Sequence, residues 1–229
     1  DLNGGKTIQP YVRLLSYGFS KWILTDRESM NTIMNKQSFT PYKIIETVYE
    51  SQHSLVNRIV RISDQQTFIF KQLNKEYPTV LDLARFQTEY ETMQRLDIEG
   101  VSRIFGIEKH HNSLGFFMED IAGKSLDRIF PFQTFNLQTL LLLAIQIIEI
   151  IDRIHCHGFM HKDINPSNII WNKKTDQVRI IDFGVAAQLS QENREFHNIE
   201  SIEGTLTHIS PEQTGRMNRT IDYRTDLYS

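Results

Sequence analysis

The segment from His161 to Gly184 reads HKDINPSNIIWNKKTDQVRIIDFG, and its polar residues have a spacing that suits chemistry. A polar loop from His161 to Asn168 runs into a short apolar strand, NIIW. A turn, NKKTDQ, and a second strand, VRII, follow, and then Asp182-Phe183-Gly184. Two strands joined this way form a hairpin, and a hairpin brings its two ends together, so Asn168 and Asp182 converge on one point. An amide oxygen and a carboxylate are hard donors of the kind that hold a divalent cation against phosphates. The remaining carboxylate, Asp163, is placed to orient an attacking hydroxyl, and together the groups suit phosphoryl transfer.

The elements that must position these groups are legible upstream. Residues 1–41 have no sustained period or repeat and read as a leader or linker, ending at Phe39-Thr40-Pro41. From Tyr42 the texture turns β-rich: YKIIETVY, SLVNRIVRIS and QTFIFKQL predict an antiparallel meander. The stretch LDLARFQTEYETMQRL carries Leu83, Phe86, Tyr90, Met93 and Leu96 at helical spacing. Two more strands, VSRIFGIEKH and SLGFFMED, precede a helix from Leu137 to His157 that stops at Gly158. Its apolar stripe reads Leu140, Leu141, Ala144, Ile147, Ile148, Ile151 and Ile154, the expected core of a larger, helix-rich lobe. The fold class is therefore α+β, with a β-rich lobe carrying one helix ahead of a helical lobe.

Composition excludes several classes. With 229 residues, 40% hydrophobic and 23% charged, the chain is neither disordered nor a small stapled scaffold. A net charge of -3 gives no reason to expect a nucleic-acid partner. The single cysteine, Cys156, cannot form an internal disulfide, in keeping with a reducing, cytoplasmic setting. Ile129 to Ile148 is free of charge, but its purely apolar core runs only from Leu140 to Ile145, well short of the ~20 residues a bilayer span needs. The start, DLNGGKTIQPY, has neither the pattern of a signal peptide nor an initiator Met, and reads as a fragment or processed segment. His155, Cys156, His157 and His161 do not form the two separated ligand pairs of a zinc site.

The segment His161–Gly184 resembles the catalytic loop and metal-binding motif of the eukaryotic-like protein kinases, with His161-Lys162-Asp163 for H-R-D, Asn168 five residues on, and Asp182-Phe183-Gly184 for D-F-G. The resemblance runs from about Tyr42 to Ser229 and implies a bilobal fold, with 42–118 as the N-lobe and 119–229 as a C-lobe truncated at its C-terminal end. An apolar surface is expected to be left exposed there. It implies ATP and Mg²⁺ as cofactors and a protein as phosphoryl acceptor. Asp163 would be the catalytic aspartate, and Asn168 and Asp182 the metal ligands. Lys71 would grip the phosphates, paired with Glu89 of the F-x-x-E pattern, while Glu91 points about 200° further round the helix. Val56 and Ile69 would face the adenine. Met118 would be the gatekeeper, and the backbone from Glu119 to Ile121 would bond the adenine edge. GTLTHISPE resembles the end of an activation segment, with Thr205 near the catalytic aspartate and Ser210-Pro211-Glu212 closing it, and favours Ser or Thr as acceptor. In DYRTDLYS, Asp226 would hold the catalytic loop from behind. The wording is especially similar to a bacterial group in which such a domain heads a long signalling protein with ATPase, sensor and histidine kinase modules further on.

The chain departs from the family pattern in places. The glycine positions of the phosphate-covering loop hold Tyr49, Ser51 and Ser54, so serine hydroxyls take over where glycine lets backbone approach. Asn165 stands where a lysine usually follows the catalytic aspartate, removing a cation beside the transferred group. Lys162 replaces the arginine that reads a phosphorylated loop, which bears on regulation through Ser190, Ser201 or Thr205. An active kinase is the leading reading; an ATP-binding pseudokinase is the alternative. A small-molecule phosphotransferase comes third, because such enzymes lack the long segment ending in Ser-Pro-Glu.

Overall fold

The computed structural model describes residues 42–75, 78–110, 113–188, 207–214 and 220–229. The readings made for residues 1–41 and for Ser190, Ser201 and Thr205 lie outside these residues.

Five strands, β1 (Tyr42–Glu50), β2 (Ser54–Arg61), β3 (Thr67–Leu73), β4 (Ile104–His110) and β5 (Ser113–Glu119), form an antiparallel sheet in the order β1-β2-β3-β5-β4. Alternation along β3 divides its side chains between two faces. Phe68 and Phe70 join Ile59 and Phe117 in one cluster, with the Phe70 and Phe117 rings 4.7 Å apart. Ile69, Lys71 and Leu73 point the other way. A side chain at Gly115 would place its Cβ 2.2 Å from the Phe70 ring, so only glycine lets that ring lie over β5.

The inner face packs on α1 (Val80–Arg95), which starts with a capping box: Asp82 N donates to Thr79 Oγ1 (3.2 Å) and Thr79 N donates to Asp82 Oδ2 (2.9 Å). Its buried residues, Phe86, Glu89, Thr92 and Met93, recur at helical spacing, so the one carboxylate among them is turned into the protein with its apolar neighbours.

Beyond β5 come β6 (Lys124–Ser125), α2 (Leu126–Ile129), α3 (Leu137–Cys156), β7 (Phe159–Met160), β8 (Ile169–Asn172), β9 (Gln177–Ile180), β10 (Ala187–Gln188) and α4 (Arg224–Tyr228). Strands β6, β8 and β9 make one small sheet, and β7 pairs with β10. Asn136 caps α3 by accepting from Thr139 N at 2.8 Å, and the helix ends where Gly158 takes a left-handed φ of 78°. One core runs through both halves, from Phe86 and Phe116 to Ile154, Ile180 and Phe183.

The structure differs from the sequence expectations in local ways. Val101 is not in β4 but bridges Ile180, and the segment after Ile121 contains β6 and the start of α2, which the sequence reading did not place. Elements of two to four residues are too short to show a period. In α3 the buried residues are Leu143, Ile150, Ile151 and Ile154, whereas Leu141 is 54% and Ile148 57% exposed. The helix is apolar on most sides, so several faces fit a helical period, and packing against β7 and β9 selects one of them.

Candidate active site

Between the five-stranded sheet and the helical half lies a cleft of about 730 Å³. The strand register builds its roof. Val56 stands opposite Lys71, and Ile69 opposite Met118, so all four share one face. Val56, Ile69, Lys71, Met118, Glu119, Ile121, Ser51, Ser54, Asn168 and Asp182 all line this cleft.

The segment after Met118 is held from both sides by arginines that pair with its own two acids. Arg179 on β9 bonds Glu119 through Nε (3.0 Å) and a terminal nitrogen (3.2 Å). Arg58 on β2 donates from Nε to Asp120 at 2.7 Å and also pairs with Glu46. The backbone is committed in part: Glu119 N donates to Arg103 O (2.9 Å), and Ile121 O accepts from Asn172 Nδ2 (2.6 Å).

Lys71 and Glu89 meet deep in the cleft. Both are buried, and Nζ lies 2.6 and 2.7 Å from the two carboxylate oxygens. Asp182 Oδ1 is 3.5 Å from the same ammonium. Burial alone would lower the pKa of Lys71, but the Asp182 and Glu89 carboxylates outweigh it and keep the group a firm cation. Burial likewise works against the charge on Asp182, and Lys71 and His161 reverse it, leaving that carboxyl below its ordinary range. Glu91 lies outside this group; it accepts from Gln87 on the exposed side of α1.

The loop from His161 to Asn168 is built around backbone acceptors. Asn168 Nδ2 donates to Asp163 O (2.9 Å) and to Asp163 Oδ2 (3.0 Å), fixing the aspartate side chain. Asn168 O accepts from Ile181 N at 3.0 Å, which closes the β8–β9 hairpin and sets Asn168 beside the entry to Asp182. Asn165 is buried. Its Oδ1 accepts from Ser167 N (2.9 Å) and its Nδ2 donates to Asp163 O (3.1 Å), so its carboxamide shapes the loop. His161 is fully buried, with Nε2 3.0 Å from Ile181 O.

Support from behind comes through Asp226. Its Oδ2 accepts from His161 N (2.8 Å) and from His155 Nε2 (2.8 Å), and its Oδ1 accepts from Lys162 N (2.7 Å). Lys162 has a φ of 68°, and Asp182 one of 67°, left-handed conformations that non-glycine residues adopt only where surroundings enforce them. Gln213, just past Ser210-Pro211-Glu212, donates to Lys162 O at 2.8 Å, while Thr225 Oγ1 donates to Glu212 at 2.9 Å. The Ser-Pro-Glu corner is thereby tied to both the loop and α4.

The β1–β2 turn closes without glycine. Ser51 Oγ accepts from His53 N (3.2 Å) and Ser54 N (3.0 Å), so the hydroxyl is engaged with its own turn. A smaller pocket of about 220 Å³ adjoins the cleft and brings His53, Ser54, Lys71, Asp82, Glu89, Asp163 and Asp182 together. Sequence reading missed His53, Asp82, Arg58 and Arg179 as contributors. A histidine in the turn and an acid three residues after a capping threonine are the signals that could have found the first two.

Comparison with known proteins adds two findings. The family model described as protein kinase domain matches residues 42–229. Serine/threonine-protein kinase PKH2 of Saccharomyces cerevisiae is 26% identical over 205 residues, which cover 85% of this chain and 19% of that protein.

Proposed function

This chain belongs to the protein kinase domain family, and we propose that it transfers the γ-phosphoryl group of ATP to serine or threonine hydroxyls of a protein. The observation that carries the reading is the convergence of Lys71, Glu89, Asp163, Asn168 and Asp182 on the cleft and its adjoining pocket, with Lys71 paired to both Glu89 and Asp182 and Asn168 bonded to Asp163.

Adenine would lie between Val56 and Ile69 above and the floor of the cleft, against Met118 and the Glu119–Ile121 backbone. The Lys71 ammonium, kept charged and aimed by Glu89, would bind the phosphates, with the turn carrying Ser51 and Ser54 above them. The oxygens of Asn168 and Asp182 form a hard donor set suited to Mg²⁺, which when bound offsets negative charge on the phosphates. Asp163 would accept the proton of the attacking hydroxyl as the new O–P bond forms and the bond from the γ-phosphorus to the departing ADP oxygen breaks. In this reading residues 42–118 are the N-lobe, 119–229 the C-lobe, and 1–41 a leader or linker.

The chain spans 19% of the length of the yeast relative it matches, which supports a module within a larger protein. We place that protein in cytoplasmic signalling, and the likeness of GTLTHISPE and DYRTDLYS to the bacterial multidomain group points to sensor and histidine kinase modules as companions. Among the described residues no helix is long and apolar enough to cross a membrane.

A second reading, an ATP-binding pseudokinase, is favoured by one observation: Asn165 puts a carboxamide, turned into the loop, where a cation would aid transfer. Incubation of the protein with γ-labelled ATP, Mg²⁺ and a mixed protein substrate, followed by separation of phosphoamino acids, decides between them. Label on serine or threonine is expected; ATP binding without label would leave the pseudokinase, and label on tyrosine would overturn the acceptor class.

A further inference from the structure

We propose that His53 is a positioning residue that fastens the phosphate-covering turn to α1 through Asp82, so that the turn is held over the nucleotide's phosphates only while α1 stands where Glu89 reaches Lys71. The inference rests on the ATP site proposed above.

A phosphate-covering turn that relies on glycine can mould itself to its ligand through backbone freedom. The turn here lacks glycine, and its position is set by specific contacts with neighbouring elements. Two contacts pin it to the end of β3: Asn74 N donates to His53 O (3.0 Å), and Asn74 Nδ2 donates to Ser51 O (2.7 Å). The third goes to a different element. His53 Nδ1 lies 3.1 Å from Asp82 Oδ1, and because a carboxylate only accepts, Nδ1 carries the proton in this contact.

Asp82 is fixed in its own right. Its other oxygen accepts from Thr79 N (2.9 Å), Thr79 Oγ1 (2.6 Å) and Lys75 Nζ (2.8 Å). These bonds, led by that from Lys75, hold the carboxyl well below the usual carboxylate range, so His53 always faces an anion. Asp82 and Glu89 are seven residues apart on α1, about two turns, and therefore lie on nearly the same side of the helix. A shift of α1 that withdrew Glu89 from Lys71 would withdraw Asp82 from His53 as well. His53 and Ser54 in turn border the pocket that Lys71, Glu89, Asp163 and Asp182 share. The remaining charged group on that pocket is Arg85, one turn along α1 from Asp82.

The His53 side chain is 62% exposed, so its bond to Asp82 is too weak to hold the fold and can act only on where the turn rests. That separates a positioning role from a structural one. The test titrates the full chain with ATP·Mg²⁺ and, separately, with adenosine, which lacks phosphates, comparing wild type with His53→Ala and His53→Asn. The asparagine amide N–H falls close to where Nδ1–H stood. His53→Ala is expected to bind ATP about fivefold more weakly with unchanged adenosine affinity and unchanged thermal midpoint, and His53→Asn to return to within about twofold of wild type. Equal ATP affinity in wild type and His53→Ala, or an equal loss for adenosine, or failure of His53→Asn to restore binding, would overturn the latch while leaving the ATP site standing. A wild-type protein that binds neither ligand would instead overturn the ATP-site reading and the latch with it.

Discussion

The Lys71 ammonium sits 2.6 and 2.7 Å from the two carboxylate oxygens of Glu89, a buried ion pair that spans 18 residues and joins the middle of β3 to the buried face of α1. The same ammonium is 3.5 Å from Asp182. A strand, a helix and the end of a hairpin are thus referenced to one cation, and any displacement among them is felt at the site.

Glu89→Gln preserves shape and removes the charge. Leaving one partner of a buried pair without its counter-charge costs about 3–5 kcal/mol, so chemical denaturation should show a loss near the lower end of that range, Asp182 remaining as a partial substitute. Phosphoryl transfer should fall by about 10²-fold if, as proposed, the Lys71 ammonium that Glu89 aims is the group that binds the phosphates.

Asp226 connects stability to pH. Burial pushes its pKa up, yet the hydrogen bond from His155, the charge of His161 and the His161 and Lys162 amides outweigh that and set it below its usual 3.8. A depressed carboxyl stabilises the fold fully above its unfolded pKa, and that stabilisation is lost as pH falls through the folded value. Asp226→Asn should therefore cost about 3 kcal/mol at neutral pH, since one acceptor oxygen must become an amide NH2 facing N–H donors. The gap between variant and wild type in denaturant midpoints should hold from neutral pH down to the ordinary carboxylate range and close as pH falls on through the lowered Asp226 value.

Asn165 works as a cap for the turn Pro166–Asn168, accepting from Ser167 N at 2.9 Å. Asn165→Ala is expected to lower stability by about 1 kcal/mol, the usual cost of removing such a cap. A thermal-shift series on the purified variants checks it.

Much of this site was legible because its residues are tied to regular elements. Asp163, Asn168 and Asp182 flank two strands of a hairpin, and hairpin geometry alone brings Asn168 to the backbone of Ile181. Lys71 and Glu89 followed from family resemblance, and the structure supplies the buried pair they form between β3 and α1. Asp226 followed from family resemblance, and the structure supplies the amides it holds. What escaped reading depends on conformation rather than pattern. Lys162 and Asp182 take left-handed φ values that no residue type announces, and His53 reaches Asp82 across 29 positions through a turn whose shape Ser51 decides. The buried face of α3 was misplaced for a related reason: with apolar residues on most sides, only its neighbours determine which are covered.

The central claim is that Asp163 orients and deprotonates the acceptor hydroxyl in a site that binds ATP without its help. Initial rates of γ-phosphoryl transfer at saturating ATP and Mg²⁺, measured for wild type and Asp163→Asn alongside ATP affinity by calorimetry, test it directly. A rate loss of about 10²–10⁴-fold with ATP affinity essentially unchanged is expected. Undiminished transfer by Asp163→Asn, or a wild-type rate no greater than that of the variant, would contradict it.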